Sequence, residues 1–228
     1  MRAIGAVTGL GWLRDARQRR RHRQFAGPHR DARLLVIREA LRAAAPGYVL
    51  LAGNSHAEML GHPDLGGRSC VNGGIGGITA DDYADALDRC VDDPAKAAVA
   101  VLFIGTNDLL RYRRPLHTEA RHRFAADARR ILLRLERWAD CVVVAAVPPI
   151  GARNASHEAG AVAVYSESLE QLCEARGHAF IDPFDGMRAA AFPGRARSGL
   201  HEDGVHLAEY GLLARAVAAL VEAQADRA

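Results

Sequence analysis

The sequence predicts an α/β fold in which a parallel β-sheet is covered by helices on both faces. Three observations support this prediction. Beyond about residue 30, strand-like segments alternate with segments of helical spacing, which is the order of a doubly wound, three-layer sandwich. The clearest strands are apolar throughout, as expected for a sheet that is buried on both faces. The chain has 228 residues, a length that favours a single domain.

Five segments are predicted as strands from their continuous apolar runs. The strongest is AAVAVLFIG at 97–105, whereas SCVNGG at 69–74 is short and runs into glycines. The fourth strand stops at two prolines, which lack the N–H group that a β-ladder needs. In chain order, the predicted strands are 48–53, 69–74, 97–105, 141–149 and 178–182.

Helices are predicted where apolar residues recur every three or four positions. The long segment at about 118–138, for example, places Phe124, Ile131 and Leu135 on one face. Thr79 can cap the helix that follows the second strand. The other predicted helices cover about 31–45, the segments around Leu87 and Leu169, and about 208–225.

A basic arm, residues 1–30, precedes the predicted domain at residues 31–228. Six arginines and one aspartate between positions 14 and 23 contribute +5 to the formal net charge of +3, so the remaining chain carries 3 − 5 = −2. A basic face for nucleic acid is therefore not predicted. We interpret the arginine tract as a solvated arm, with a weak contact to an anionic membrane surface or to RNA as the alternatives. The sequence does not predict the oligomeric state.

The start of the chain does not have the pattern of a cleaved secretory signal, because most of its positive charge follows the short apolar run. That run is also too short to span a bilayer. The four cysteines stand singly, without the C-x-x-C spacing of a zinc site or a redox dithiol. We therefore expect a cytoplasmic protein without a bound metal.

Ligands of open α/β sheets bind outside the carboxyl ends of the strands, so the loops that follow the strands are the places to search. In GNSHAE at 53–58, Ser55 lies between a buried strand and a helix. Backbone N–H groups at that helix start would face a developing anion. A serine in this place can equally be a simple helix cap.

The loops after the second and third strands are rich in glycine and in short polar residues. NGGIGGIT at 72–79 has four glycines in five positions, which lets the backbone approach a ligand closely. Its spacing fits neither of the common phosphate-binding motifs. In GTND at 105–108, Asn107 can donate an N–H to an oxyanion, and Asp108 can hold the loop through backbone N–H groups. Plain turns are the alternative for both loops.

The segment DGVHL at 203–207 precedes the last helix. Because three positions separate Asp203 from His206, one local turn can bring the carboxylate to the imidazole. Asp203 would then orient His206 as it takes a proton from Ser55. His201 is a competing base that ranks second, since the residue three positions before it is Ser198.

Taken together, these loops closely resemble the motifs of the SGNH hydrolases, also called GDSL-type esterases and lipases, over about residues 48–220. The resemblance implies a flavodoxin-like α/β/α sandwich with five parallel strands, and no cofactor. By position, it implies that Ser55 is the nucleophile and that His206 is the base with Asp203 as its partner.

The same resemblance implies an oxyanion hole formed by N–H groups of Ser55, Gly74 and Asn107. One departure is Asn54, where the family usually has aspartate, and we expect it to tune activity rather than abolish it. The implied function is two-step hydrolysis of carboxylic esters. O-deacetylation of sugars, acyl-thioester hydrolysis and a catalytically silent binding protein are the alternatives.

Overall fold

The computed structural model describes residues 27–225 and confirms the α/β class. Five parallel strands form a sheet in the order β2-β1-β3-β4-β5. The helices cross from one strand to the next, as the alternation in the sequence predicts. The strands are β1 (Val49–Gly53), β2 (Cys70–Gly74), β3 (Ala97–Phe103), β4 (Ala139–Ala145) and β5 (Ala179–Ile181).

Six helices cover the two faces of the sheet in the described part of the chain. Helices α1, α3, α4 and α5 bury one core, to which Leu87 and Ile131 belong. Helices α2 and α6 bury the other core, to which Ala57 and Val217 belong. The helices are α1 (27–43), α2 (Ser55–Met59), α3 (Ala80–Asp88), α4 (Thr118–Trp138), α5 (Ala161–Arg176) and α6 (Gly211–Ala225).

The strand β1 shows why the sequence is apolar without alternation. Leu50 and Ala52 point into the core under α1 and α3, whereas Val49 and Leu51 point into the core under α6. All five residues of the strand are buried. Each side chain therefore needs to be apolar, whichever face it lies on.

Several predicted boundaries differ from the structure by a few residues, and two of these differences have clear local reasons. Strand β4 begins two residues earlier than predicted, because Ala139 pairs with Ala97 as soon as α4 ends. Helix α6 begins at Gly211 rather than at residue 208. The preceding segment makes its own backbone pairing, in which the N–H of Ala208 donates to the carbonyl of Leu200.

A short antiparallel hairpin between β5 and α6 was not predicted. It consists of β6 (Arg188–Ala189) and β7 (Phe192–Ala196). Pro193 and Gly194 give β7 a composition that is unfavourable for a strand. The hairpin is instead stabilised by a contact with a residue outside it, because the guanidinium of Arg188 binds the carboxylate of Asp182 at 2.7 Å.

The arginine tract at 14–23 lies outside the described residues. Residues 27–30, which the sequence analysis assigns to the arm, are part of α1. Among the helices that the structure describes, none combines the length and the apolar character needed to cross a membrane.

Candidate active site

Ser55 is the first residue of α2, and a sharp turn at Gly53 and Asn54 connects it to the end of β1. Gly53 has a φ of +119°, and a Cβ atom there would lie 1.8 Å from the carbonyl oxygen of Phe103. Only glycine permits this close approach. Asn54 caps α2, because its side-chain oxygen accepts the N–H of His56 at 3.0 Å. The turn thereby places Ser55 at the carboxyl edge of the sheet.

His206 reaches Ser55 across 151 positions of sequence. Its Nε2 atom lies 2.9 Å from the Oγ atom of Ser55. Its Nδ1 atom lies 2.7 Å from an oxygen of Asp203. The structure thus brings together the three residues that the sequence analysis assigns to a triad.

The turn from Asp203 to His206 is closed by the carboxylate of Asp203 itself. One of its oxygens accepts the N–H of Val205 at 2.9 Å and that of His206 at 2.8 Å. Burial would raise the pKa of Asp203, but these N–H groups and the imidazole of His206 outweigh it and lower the pKa to about 2. Asp203 is therefore ionised at neutral pH and can stabilise a positive charge on His206.

His201, the competing base, does not take the position beside Ser55. Its backbone pairs with that of Leu207. Its side chain lines a cleft next to Asp203, together with Arg153 and Arg197. The structure therefore favours His206 over His201 as the partner of the serine.

Asn107 lies in the 3-10 turn Thr106–Leu109 that follows β3. Its side-chain amide donates one N–H to the carbonyl of Ile78 at 2.9 Å. An asparagine amide has two N–H donors, so the second is left for a ligand. The contact also ties this turn to the glycine loop after β2.

The structure does not leave the Gly74 N–H available for an oxyanion. This N–H donates to the side-chain oxygen of Asn72 at 3.0 Å. A Cβ atom at Gly74 would lie 2.1 Å from the backbone nitrogen of Glu58, so the glycine serves close packing of β2 against α2. This geometry argues against Gly74 as the oxyanion glycine that the resemblance implies.

Gly77 is the better donor in this loop. It has a φ of +72°, and its N–H makes no hydrogen bond to any residue in the described range 27–225. Gly77 also directly precedes Ile78, whose carbonyl binds Asn107. The sequence alone could not separate the four glycines, because the difference depends on where the Asn72 side chain points.

Asp108 accepts a backbone N–H group, as predicted, and thereby joins the turn after β3 to the start of α3. Its oxygens accept the N–H of Ala80, the first residue of α3, at 3.1 and 3.2 Å. Asp108 therefore caps this helix in place of Thr79, which makes no side-chain capping bond. Burial raises the pKa of Asp108 to about 7, although Arg113 nearby opposes the shift.

Three contributors to the site were missed at the level of sequence. Glu58 accepts the N–H of Gly76 and so links α2 to the glycine loop. The ring of His56 contacts the hydroxyl of Tyr210. Glu58 lies three positions after Ser55, and residues at this spacing share a face of a helix, so its closeness to the site could have been predicted. The sequence contains no pattern that indicates a contact between His56 and Tyr210.

Comparison with known proteins identifies the family of the chain. The sequence model of the GDSL-like lipase/acylhydrolase family matches residues 52–212, which is most of the chain. Ser55, Asn107, Asp203 and His206 all lie within the matched range. A comparison with curated protein sequences finds no significant match.

Solved structures show the same fold at low sequence identity. A Streptococcus pneumoniae protein named for platelet activating factor is 17% identical, with a TM-score of 0.73 over 92% of this chain and 99% of that one. A GDSL-like lipase from Bacteroides thetaiotaomicron is 19% identical, with a TM-score of 0.65 over 81% and 95%. An acetylxylan esterase from Geobacillus stearothermophilus is 19% identical, with a TM-score of 0.54 over 79% and 95%.

The family match covers more than half of the chain, and the five-stranded parallel sheet is shared with these structures. The chain therefore belongs to the GDSL-like lipase/acylhydrolase family of hydrolases.

Proposed function

We propose that the protein hydrolyses carboxylic esters through an acyl-enzyme on Ser55. The observation that carries the proposal is the 2.9 Å contact between Ser55 Oγ and His206 Nε2. A serine hydroxyl is a weak nucleophile unless a base at hydrogen-bond distance takes its proton. This contact provides such a base, and Asp203 orients it.

In the first step, the Oγ atom of Ser55 attacks the ester carbonyl while His206 takes the hydroxyl proton at Nε2. Asp203 keeps Nδ1 protonated and stabilises the imidazolium that forms. His206 then returns the proton to the leaving alcohol as the tetrahedral intermediate collapses. In the second step, the same histidine activates a water molecule that hydrolyses the acyl-enzyme.

The negative charge on the tetrahedral intermediate requires preorganised N–H donors. We assign these to the Ser55 N–H, the Gly77 N–H and the second amide N–H of Asn107. The Ser55 N–H belongs to the first turn of α2, where backbone donors have no partner within the helix. Gly77 replaces Gly74 because the N–H of Gly74 is used by Asn72.

The decisive experiment compares the wild type with Ser55→Ala on short p-nitrophenyl esters and on a fluorophosphonate label. The variant should lose both turnover and labelling, because no other hydroxyl is bonded to His206 within the described chain. Ser168→Ala is a matched control, since among the described residues the hydroxyl of Ser168 bonds only to the carbonyl of Val164 in α5. Undiminished turnover in Ser55→Ala would remove the proposal.

O-deacetylation of acetylated sugars is the second candidate function on the same site. It is suggested by the fold that this chain shares with an acetylxylan esterase. Acyl thioesters are chemically compatible as well. A panel of acyl esters, acyl thioesters and acetylated xylo-oligosaccharides, each with Ser55→Ala as the blank, would separate these substrate classes through their kcat/KM values.

A further inference from the structure

His56 is a buried polar residue that the proposed mechanism does not use. It follows Ser55 in α2, and its side chain is 0% exposed. Its Nδ1 atom lies 3.1 Å from the hydroxyl of Tyr210. Its Nε2 atom is buried and has no hydrogen-bond partner among the described residues. A buried ring nitrogen without a hydrogen bond lowers the stability of the fold, so the presence of His56 at this position needs an explanation.

The environment of His56 excludes a role as a second base. Burial, followed by the neighbouring His206 and His201, lowers the pKa of His56 to about 3, against a smaller opposite effect of Asp203. His56 is therefore neutral at neutral pH. It does not place a positive charge beside the imidazolium that forms on His206.

The hydrogen bond between His56 and Tyr210 connects the same two segments as the bond between Ser55 and His206. His56 is adjacent to Ser55, and Tyr210 lies four positions after His206. The ring centroids of His56 and His206 are 6.0 Å apart, as are those of His56 and Tyr210. Three hydrogen bonds thus join α2 to residues 200–210, the histidine loop: these two, and the bond that the Tyr210 hydroxyl donates to the sulfur of Met59 at 3.5 Å.

Among the described residues, the other hydrogen bonds of the histidine loop do not reach α2. The carbonyl of Gly204 accepts the N–H of Gly151, which ties the loop to the segment after β4. The N–H of Glu202 donates to the carbonyl of His206, and that of Ala208 donates to the carbonyl of Leu200. These bonds shape the loop, but they do not set its distance from α2. That distance depends on groups that reach α2, and Tyr210 is one of them.

We propose that His56 and Tyr210 are positioning residues whose hydrogen bond holds His206 at bonding distance from Ser55. The inference rests on the proposed function, in which His206 takes the proton of Ser55. Because a misplaced base affects proton transfer more than substrate binding, loss of this bond should lower kcat and leave KM nearly unchanged.

The first test uses single substitutions that discriminate between the two ring nitrogens. Tyr210→Phe and His56→Gln should each lower kcat roughly 10- to 100-fold with little change in KM. His56→Asn should keep kcat within about threefold of the wild type, because the asparagine amide occupies the Nδ1 position and can donate or accept. Tyr48→Phe is the matched control, since the buried hydroxyl of Tyr48 has no partner among the described residues.

The second test separates positioning from stability. In the double variant His56→Leu/Tyr210→Phe, both polar partners become apolar, and such a replacement is close to neutral for folding. The expected result is an unchanged or higher Tm together with the low kcat of Tyr210→Phe. A fall in Tm that parallels the fall in kcat would overturn the proposal, and so would a wild-type kcat in Tyr210→Phe or equal rates for His56→Asn and His56→Gln.

Histidine NMR makes the inference independent of ester turnover. In protein labelled with 15N-histidine, the Nδ1 proton of His206 bonded to Asp203 should give a sharp downfield signal that broadens or disappears in Tyr210→Phe. If the wild type hydrolyses no ester in the panel, the proposed function fails, yet these spectra still decide the positioning role. An unchanged His206 signal in Tyr210→Phe would overturn it.

Discussion

The side-chain amide of Asn54 donates a hydrogen bond to the hydroxyl of Thr106 at 3.1 Å. This bond joins the turn that precedes Ser55 to the turn that carries Asn107. The other end of the amide accepts the N–H of His56, so both polar groups of the side chain are used. Asn54 is 0% exposed, and a neutral side chain avoids the cost of burying a charge there. The departure from the usual family aspartate is therefore accommodated by its surroundings.

Asn54→Asp should destabilise the protein at alkaline pH more than at acidic pH. Burial would raise the pKa of the new carboxyl group, so the variant must either bury a charge or hold a proton. We expect a loss of about 1–3 kcal/mol in the free energy of unfolding at pH 8 and a smaller loss at pH 5. Urea denaturation at both pH values measures it. Equal losses at the two pH values would contradict this explanation.

Asn154→Asp serves as the matched control for that substitution. The side-chain oxygen of Asn154 accepts the N–H groups of Ser156 and His157, and an aspartate can accept the same bonds. This side chain is also partly exposed. Because the oxygen of Asn154 also lies 3.1 Å from Nδ1 of His157, the control is made in a His157→Asn background, which removes the titrating imidazole. There its destabilisation should depend little on pH between 5 and 8.

Asn107→Ala should lower kcat roughly 10²- to 10³-fold, because one donor to the oxyanion is lost. KM should change much less, since the interaction strengthens only as the charge develops. Steady-state kinetics on a p-nitrophenyl ester measure both constants, and a thermal melt checks that the lost bond to Ile78 leaves the fold intact. A variant that raises KM while keeping kcat would assign Asn107 to substrate binding instead.

The sequence predicts the fold well because the sheet is buried on both sides. Continuous apolar runs such as 97–105 are typical of strands in such a sheet, and the structure contains all five predicted strands, with β2 and β5 at its edges. The hairpin of β6 and β7 is different, since Arg188 and Ala196 depend on contacts with distant segments. Such contacts leave no periodic signal in the sequence.

The candidate site was predictable where a single loop carries the residue, as for Ser55, Asn107 and the Asp203–His206 turn. The oxyanion glycine was not, because its availability depends on a side chain. The amide of Asn72 binds carbonyls of α2 and of the following loop, at Ala57 and Gly61, and this orientation turns its oxygen toward the Gly74 N–H. The sequence does not reveal the orientation of the Asn72 side chain. It therefore cannot show which of these neighbouring glycines has an unbonded N–H.

Gly74→Ala should impair folding rather than catalysis. The added Cβ would lie 2.1 Å from the backbone nitrogen of Glu58 and 2.7 Å from the carbonyl carbon of Ala57, so α2 must move away from β2. A loss of roughly 3 kcal/mol or more in the free energy of unfolding is expected from such overpacking, and urea denaturation measures it. If Gly74→Ala were as stable as the wild type, close packing against Glu58 would not be the role of this glycine.

Gly77→Ala is the comparison for Gly74→Ala. Gly77 has a φ of +72°, and an alanine in this left-handed conformation should lower the free energy of unfolding by about 1–2 kcal/mol. This variant should therefore be the more stable of the two. Because a strained turn moves the proposed N–H donor, its kcat should fall even where the protein is fully folded.

Asp108 should make the wild type lose stability as the pH rises from about 4 to about 7. Burial raises its pKa to about 7, against the opposing charge of Arg113 and with support from Asp81 and Asp127. Between its unfolded pKa near 3.8 and this value, the folded protein holds a proton that the unfolded chain has released. Stability therefore falls as the pH rises through this window, and the contribution is constant above it.

Asp108→Asn removes this titration while keeping an oxygen that can accept the N–H of Ala80. The free energy of unfolding of the variant, relative to the wild type, should thus increase between pH 4 and pH 7 by an amount on the order of a few kcal/mol. Urea denaturation of both proteins at pH 4, 5.5, 7 and 8.5 gives the difference curve. A difference that is flat, or that grows on acidification, would show that Asp108 is ionised throughout and that Arg113 outweighs its burial.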